Sequence, residues 1–97
     1  MSRYIVRVEL RNSESADYNE LHEKMNALGF YRFAKFTGSD DFYNLPDAEY
    51  MFYGTKSTET VSYVGHLVKN VAEKIRKNPK VVVTEVKDLF QLGLDKF

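Results

Sequence analysis

One stretch of the chain, between two aromatic segments, carries carboxylates that could do chemistry. Residues 36–50 read FTGSDDFYNLPDAEY, in which Asp40 and Asp41 are adjacent. Neighbouring carboxylates can share a divalent cation, or act as a general acid and a general base. Aspartate is also favoured in turns, where its side chain accepts hydrogen bonds from nearby backbone. We interpret both as turn residues, because Phe42 and Tyr43 can anchor the insert as a packed flap.

The histidines, glycines and serines do not form a recognised metal, phosphate or nucleophile motif. His22 and His66 are the two histidines, and they fall in different predicted helices without a chelating spacing. The chain has no cysteine, no Walker-type glycine loop and no G-x-S-x-G turn. We therefore expect no metal site and no cofactor.

Basic and aromatic residues form a pattern that could bind RNA. Arg7 and Arg11 share the polar face of the first predicted strand, Arg32 and Lys35 lie on the second, and Tyr53 lies on an aromatic third. Sheet-based RNA-binding proteins stack bases on aromatic side chains and hold phosphates with arginine and lysine. These five residues are our candidate nucleic-acid-binding residues. The alternative is a solvated ladder of ion pairs along the first strand, and the RNP1 spacing of RNA-recognition motifs is absent.

The segments that would position these residues alternate between strand and helix patterns. Period-two alternation or β-branched and aromatic content predicts strands at residues 3–11, 31–36, 49–55 and 80–86. Apolar stripes at three- and four-residue spacing predict helices at residues 18–28 and 61–75. Gly29 would end the first helix, and Ser57 and Thr58 would cap the second.

The order βαββαβ predicts a ferredoxin-like fold of the α+β class, with residues 1–97 as a single domain. We expect a four-stranded antiparallel sheet with both helices on one face and the other face open. An apolar C-terminal tail would add a short strand or helix, or would dock on a partner. Its large apolar residues are Leu89, Phe90, Leu92, Leu94 and Phe97.

Composition limits the classes of partner. Fourteen basic residues balance fourteen acidic ones, which argues against a DNA-coating protein and favours self-association. No apolar run approaches the roughly 18 residues of a membrane span, and the N-terminus lacks the apolar core of a signal peptide. We therefore expect a cytoplasmic protein that does not enter the membrane.

Four strings in the first half of the chain carry a family resemblance. They are YIVRVEL at 4–10, DYNELHEKM at 17–25, the Gly29-Phe30 pair, and LPDAEY at 45–50. Their order resembles small bacterial and phage proteins of the GhoS-type endoribonuclease antitoxin family, from type V toxin–antitoxin systems. The resemblance covers residues 4–50, and the second half matches only in element order.

The resemblance implies a Cas2-like ferredoxin fold and cleavage of a toxin transcript. Cas2-like nucleases carry an aspartate near the end of the first strand, where this chain reads ELRN at residues 9–12. Because no acidic pair is placed for two-metal chemistry, we expect any cleavage to be metal-independent. His22 or Glu9 would transfer the proton, and the three arginines named above would hold the phosphate.

Two other function classes remain open. The chain could be a non-enzymatic interaction module of phage or mobile-element origin that docks on a bacterial protein. It would then form a homodimer or a complex through the open sheet face or the apolar tail. A small-molecule enzyme or sensor, with the insert as a lid, is the third class.

Overall fold

The computed structural model describes residues 2–97 as an α+β protein. Its helices are α1, Ser15–Ala27, and α2, Val61–Glu73. Its strands are β1 Ser2–Glu9, β2 Phe30–Tyr31, β3 Phe33–Lys35, β4 Phe42–Asn44, β5 Glu49–Gly54 and β6 Lys80–Val86. Neither helix within residues 2–97 has the length and apolar character that a membrane crossing requires.

The main sheet has four strands in the order β2-β5-β1-β6, and every neighbouring pair is antiparallel. β1 lies at the centre, where Val6 pairs with Tyr50 of β5 on one side and with Val83 of β6 on the other. This confirms the predicted four-stranded antiparallel sheet. β3 and β4 form a separate two-stranded sheet, which the sequence did not predict.

The inner core lies between the main sheet and the two helices. Alternate residues of β1 (Tyr4, Val6 and Val8) are buried on this face, as the period-two pattern predicts. Both helices contribute to the same apolar cluster, so they lie on one face of the sheet. Their buried members are Leu21 and Met25 from α1, and Val64, Val68 and Ala72 from α2.

The cap of α2 differs from the prediction. Thr60 is the residue that caps the helix, and its Oγ1 accepts a hydrogen bond from the backbone N–H of Tyr63 at 3.2 Å. The expected caps, Ser57 and Thr58, lie instead in a turn before the helix. That turn is closed by a hydrogen bond from the N–H of Glu59 to the carbonyl of Lys56.

The predicted second strand, residues 31–36, is wrong as a single element. It is interrupted at Arg32, and its two parts belong to different sheets. Phe30 in β2 is buried in the inner core and stacks on Phe52 with 4.5 Å between ring centroids. Ala34 in β3 is buried against the opposite face. One strand cannot satisfy both cores, so the chain changes direction between them.

A second, outer core covers part of the sheet face that the sequence analysis expected to be open. Met51 of β5 is fully buried there, together with Ala34, Phe36 and Leu45 from the β3–β4 hairpin and its flanks. Ile5, Tyr43, Tyr53, Leu89 and Leu94 are partly buried against them. The 37–48 insert is therefore a packed flap with a strand of its own, and the open-face prediction is corrected.

The C-terminal tail runs along the hairpin without forming a regular strand or helix. It is held by backbone hydrogen bonds from Asn44 N–H to the Asp95 carbonyl and from Phe97 N–H to the Phe42 carbonyl. A single β-bridge joins Tyr43 to Lys96. The tail residues divide into two groups: Leu89 and Leu94 pack inward, whereas Phe90 and Leu92 are 81% and 83% exposed.

We predict that the outer core contributes stability comparable to the inner one. Met51→Ala removes a fully buried side chain and should lower the free energy of unfolding by about 2–5 kcal/mol. Leu92→Ala is the matched control, because a surface truncation of this kind changes stability by about 0.5 kcal/mol or less. Urea denaturation followed by far-UV circular dichroism measures both. Equal stability of the two variants would mean that the hairpin does not pack on the sheet.

Candidate functional site

A histidine and a buried tyrosine form the centre of the candidate site. His22 projects from α1 and Tyr50 from β5. The His22 Nδ1 lies 2.6 Å from the Tyr50 hydroxyl oxygen. Tyr50 is fully buried, whereas His22 is half-buried. Burial raises the pKa of Tyr50 above its usual value, so its hydroxyl stays protonated at neutral pH. The contact fixes the imidazole ring and leaves Nε2 as its free nitrogen.

The pKa of His22 is lowered from its ordinary value of 6.5. Partial burial is the main cause, and repulsion from the Arg32 guanidinium adds to it, while the Asp47 carboxylate opposes both. The imidazole is therefore neutral at neutral pH. In the tautomer whose Nδ1–H donates to the Tyr50 oxygen, Nε2 carries a lone pair and can accept a proton.

His22 lines an open groove of about 730 Å³, here called the His22 groove. Arg32, at the interruption between β2 and β3, supplies a cation to it. The Arg32 Nη2 lies 3.4 Å from the Asp47 Oδ1, but both side chains are largely exposed, so this ion pair is weak. The remaining lining residues are Glu23, Asn26, Phe33, Asn44, Leu45, Asp47 and Phe97. The groove thus joins a neutral imidazole, a guanidinium and amide groups with the carboxylates of Glu23 and Asp47.

A second groove, of about 890 Å³, lies on the other side of Phe33 and is here called the aromatic groove. Phe33 lines both grooves, and its ring stacks on Tyr31 at 5.3 Å and on Phe97 at 4.1 Å between centroids. The Lys35 ammonium lies 5.9 Å from the centre of the Phe42 ring. The other lining residues are Arg3, Phe36, Thr37, Tyr53 and Asp88.

The structure brings together only some of the residues selected from the sequence. His22 and Arg32 meet in the His22 groove, and Lys35 and Tyr53 meet in the aromatic groove. Arg7 lies on the outer sheet face and lines neither groove. Among the ion pairs of residues 2–97 none involves Arg7.

Two further candidates lie away from both grooves. Arg11 donates a hydrogen bond from Nε to the carbonyl of Asn78, beyond the end of β1. The Glu9 Oε1 lies 3.1 Å from the Nζ of Lys80 on β6. Both side chains therefore contact residues at or just before the start of β6, and the alternation of β1 alone could not distinguish them from Arg7.

The aspartate pair follows the turn interpretation. The Asp41 N–H donates to the Ser39 hydroxyl, and its carboxylate lies 3.1 Å from the Lys96 Nζ of the tail. Asp40 is exposed in the same turn. Within residues 2–97 no group of three or more His, Asp or Glu side chains is placed to hold a metal ion.

Sequence reasoning missed several residues of the two grooves. Tyr50 was noted only as part of an aromatic strand, and its partnership with His22 depends on the packing of α1 against β5. Phe33 and Arg3 were not selected, and Phe97 was selected only as a residue of the apolar tail. The hairpin and the tail bring these residues together from distant parts of the chain. The aromatic clustering of Tyr31, Phe33 and Phe42 is the one signal that could have indicated a stacking surface.

No family model, no curated protein and no solved structure matches the chain. The chemistry of the two grooves is therefore the basis for assigning a function.

We predict that Arg32 controls the titration of His22. Arg32→Ala removes a repulsive cation and should raise the pKa of His22, whereas Asp47→Asn should lower it further. Lys24→Ala is the matched control, since Lys24 is a cation on the same helix that pairs with Glu20. Nuclear magnetic resonance of the imidazole protons between about pH 5 and 8 measures each value. If the pKa of His22 is the same in Arg32→Ala as in the wild type, the Arg32 charge does not act on the imidazole and the prediction is wrong.

Proposed function

We propose that this protein binds single-stranded RNA and cleaves it without a metal ion, using His22 as the general base. The observation that carries the proposal is a neutral imidazole, fixed by Tyr50 and adjacent to Arg32 in an open groove. A general base is most effective when its pKa lies near the working pH, and a nearby guanidinium stabilises a phosphate.

The chemistry uses the 2′-hydroxyl group of RNA as its nucleophile. Nε2 of His22 takes the proton of this hydroxyl, and the oxygen attacks the adjacent phosphorus. The bond to the 5′-oxygen breaks, and that oxygen takes a proton from solvent in the open groove. The products are a 2′,3′-cyclic phosphate and a 5′-hydroxyl end. Arg32 stabilises the negative charge on the phosphorane, where charge is greatest in the transition state.

The aromatic groove supports binding of unpaired rather than paired nucleotides. Bases stack on aromatic rings only when they are free of a duplex, and each such contact contributes about 1–3 kcal/mol. Tyr31, Phe33 and Tyr53 offer these rings, and Lys35 offers a charge to the backbone. Because Phe33 borders both grooves, an RNA strand whose base stacks in the aromatic groove can place a neighbouring phosphate in the His22 groove.

We further propose that the fold is ferredoxin-like and that the protein is a GhoS-type antitoxin that degrades a toxin transcript. The strand order β2-β5-β1-β6, with a helix after β1 and another after β5, supports the fold proposal. The motifs within residues 4–50 support the family proposal. A transcript as substrate also favours a cytoplasmic location.

A second candidate function is a non-enzymatic interaction module. Two observations favour it: the tail exposes Phe90 and Leu92, and Val82 on the edge strand β6 is 62% exposed. Exposed apolar side chains beside an unpaired strand edge can bind another chain. Leu89 and Leu94 pack against the outer core and are not available to a partner. A contact made by the tail would therefore use Phe90, Leu92 and Phe97.

We predict that His22→Ala abolishes RNA cleavage while RNA binding persists. Loss of a general base should slow cleavage of a single-stranded oligoribonucleotide by about a hundredfold or more. Wild-type cleavage should persist in the presence of EDTA. It should increase as pH rises through the lowered pKa of His22, because only the neutral ring accepts a proton. Gel electrophoresis of end-labelled RNA and mass spectrometry of the product ends measure these results.

His66→Ala is the matched control, because His66 lies on α2, hydrogen-bonds to Ser62 of its own helix and lines neither groove. This variant should cleave RNA at the wild-type rate. Equal activity of His22→Ala and wild type would exclude His22 as the base. A pure protein that neither binds nor cleaves RNA would favour the interaction module.

A further inference from the structure

We propose that the aromatic groove binds one unpaired guanine base and that Asp88 selects it. This inference rests on the proposed RNA cleavage and adds a sequence preference to it. Asp88 is an exposed residue two positions after the end of β6, and it lines the groove together with the aromatic residues. Across residues 2–97 no ion pair involves Asp88, so both of its oxygens are free to accept hydrogen bonds from a ligand.

Asp88 is held in place by hydrogen bonds to the residues on either side of it. The Arg3 guanidinium donates from Nη2 to the carbonyl of Lys87 at 3.1 Å. The Leu89 N–H donates to the Thr37 hydroxyl at 3.2 Å, and the Thr37 N–H donates to the Leu89 carbonyl at 3.1 Å. Arg3 and Thr37 are themselves lining residues of the groove. The backbone that carries the carboxylate is therefore pre-positioned by the groove's own walls.

The polar groups at this end of the groove match one base. A carboxylate only accepts hydrogen bonds, and the Watson–Crick edge of guanine offers two adjacent donors, N1–H and N2–H₂. The Thr37 hydroxyl accepts from Leu89 and keeps its own proton, so it can donate to the guanine O6. The Arg3 guanidinium donates one hydrogen bond to the Lys87 carbonyl, and its other N–H groups can donate to the same guanine O6. The acceptor from Asp88 and the donors from Thr37 and Arg3, which line the same groove, thus match the hydrogen-bonding edge of guanine.

The other three bases present the wrong pattern to Asp88. Adenine and cytosine each offer a single amino group beside a ring nitrogen acceptor. Uracil offers one N–H between two carbonyl oxygens, and these would face the carboxylate. Leaving a polar group unpaired, or facing a like charge, costs more than a lost contact. The groove should therefore discriminate by hydrogen-bond pattern, with stacking on the aromatic walls supplying the common affinity.

The selected base determines where the chain is cut. Phe33 separates the aromatic groove from the His22 groove and lines both. A guanine held on one side of Phe33 places a neighbouring phosphate on the side of Arg32 and His22. Cleavage is then expected at a fixed position next to unpaired guanines.

The test measures binding of short uridine-rich oligoribonucleotides that carry a single guanine, adenine or cytosine, or uridine alone. His22→Ala protein prevents cleavage, and fluorescence anisotropy of a labelled 5′ end gives each affinity. We expect the guanine oligonucleotide to bind about tenfold more tightly than the others. Asp88→Asn, which keeps one acceptor only, should abolish this difference. Asp40→Asn is the matched control, because Asp40 is an exposed carboxylate of the 39–41 turn outside the groove.

A second measurement uses the wild-type protein, which has no substitution at His22. Free guanosine monophosphate should displace the labelled oligonucleotide at a lower concentration than free uridine monophosphate does. Equal affinity for the four oligonucleotides, or a guanine preference that survives Asp88→Asn, would overturn the selection while RNA binding stands. Cleavage sites that ignore guanine would overturn it in the same way. Failure of every oligonucleotide to bind would remove the proposed function as well.

Discussion

The apolar outer face of β1 and β5 is the constraint on which the rest of this structure depends. Ile5, Met51 and Tyr53 point away from the helices, and a bare face of this kind would expose apolar surface to water. The chain covers it with its own hairpin and tail. Burial of one side chain such as Met51 is worth about 1.5–3 kcal/mol, which helps offset the ordering of the long insert. The cover is incomplete, and the grooves lie at its margins.

The proposed function requires a chain of zero net charge to bind a polyanion at the margins of this cover. Arg3 and Lys35 border the aromatic groove and Arg32 borders the His22 groove. Carboxylates border the grooves as well, Asp88 in the aromatic groove and Glu23 and Asp47 in the His22 groove. Others pair with cations elsewhere, as Glu9 does with Lys80. Local placement, rather than net charge, therefore determines where a phosphate would bind. Affinity for RNA should accordingly be modest and should fall with rising salt.

Local pattern was enough to predict three strands of the main sheet and both helices. The alternation of β1 and the helical stripes each depend on neighbours within a few residues. The interruption at Arg32 could not be predicted, because Phe30 and Ala34 serve different cores and only the tertiary structure shows this. For the same reason the sequence suggested His22 and Arg32 separately but not Tyr50 as the partner of His22. The tail was expected to add a short strand or helix, or to dock on a partner. Its order comes instead from hydrogen bonds to a hairpin that the sequence did not predict.

The central claim is that one RNA strand passes over Phe33, from an aromatic groove into a groove that holds a neutral imidazole. It is tested most directly by mapping the contacts of a strand that cannot react. A uridine-rich oligoribonucleotide with a 2′-O-methyl group at every position lacks the nucleophile and can be titrated into isotope-labelled wild-type protein. The account predicts chemical-shift changes at His22, Arg32, Phe33 and the other residues of the two grooves. Changes confined to β6 and α2, or no change at all, would contradict it.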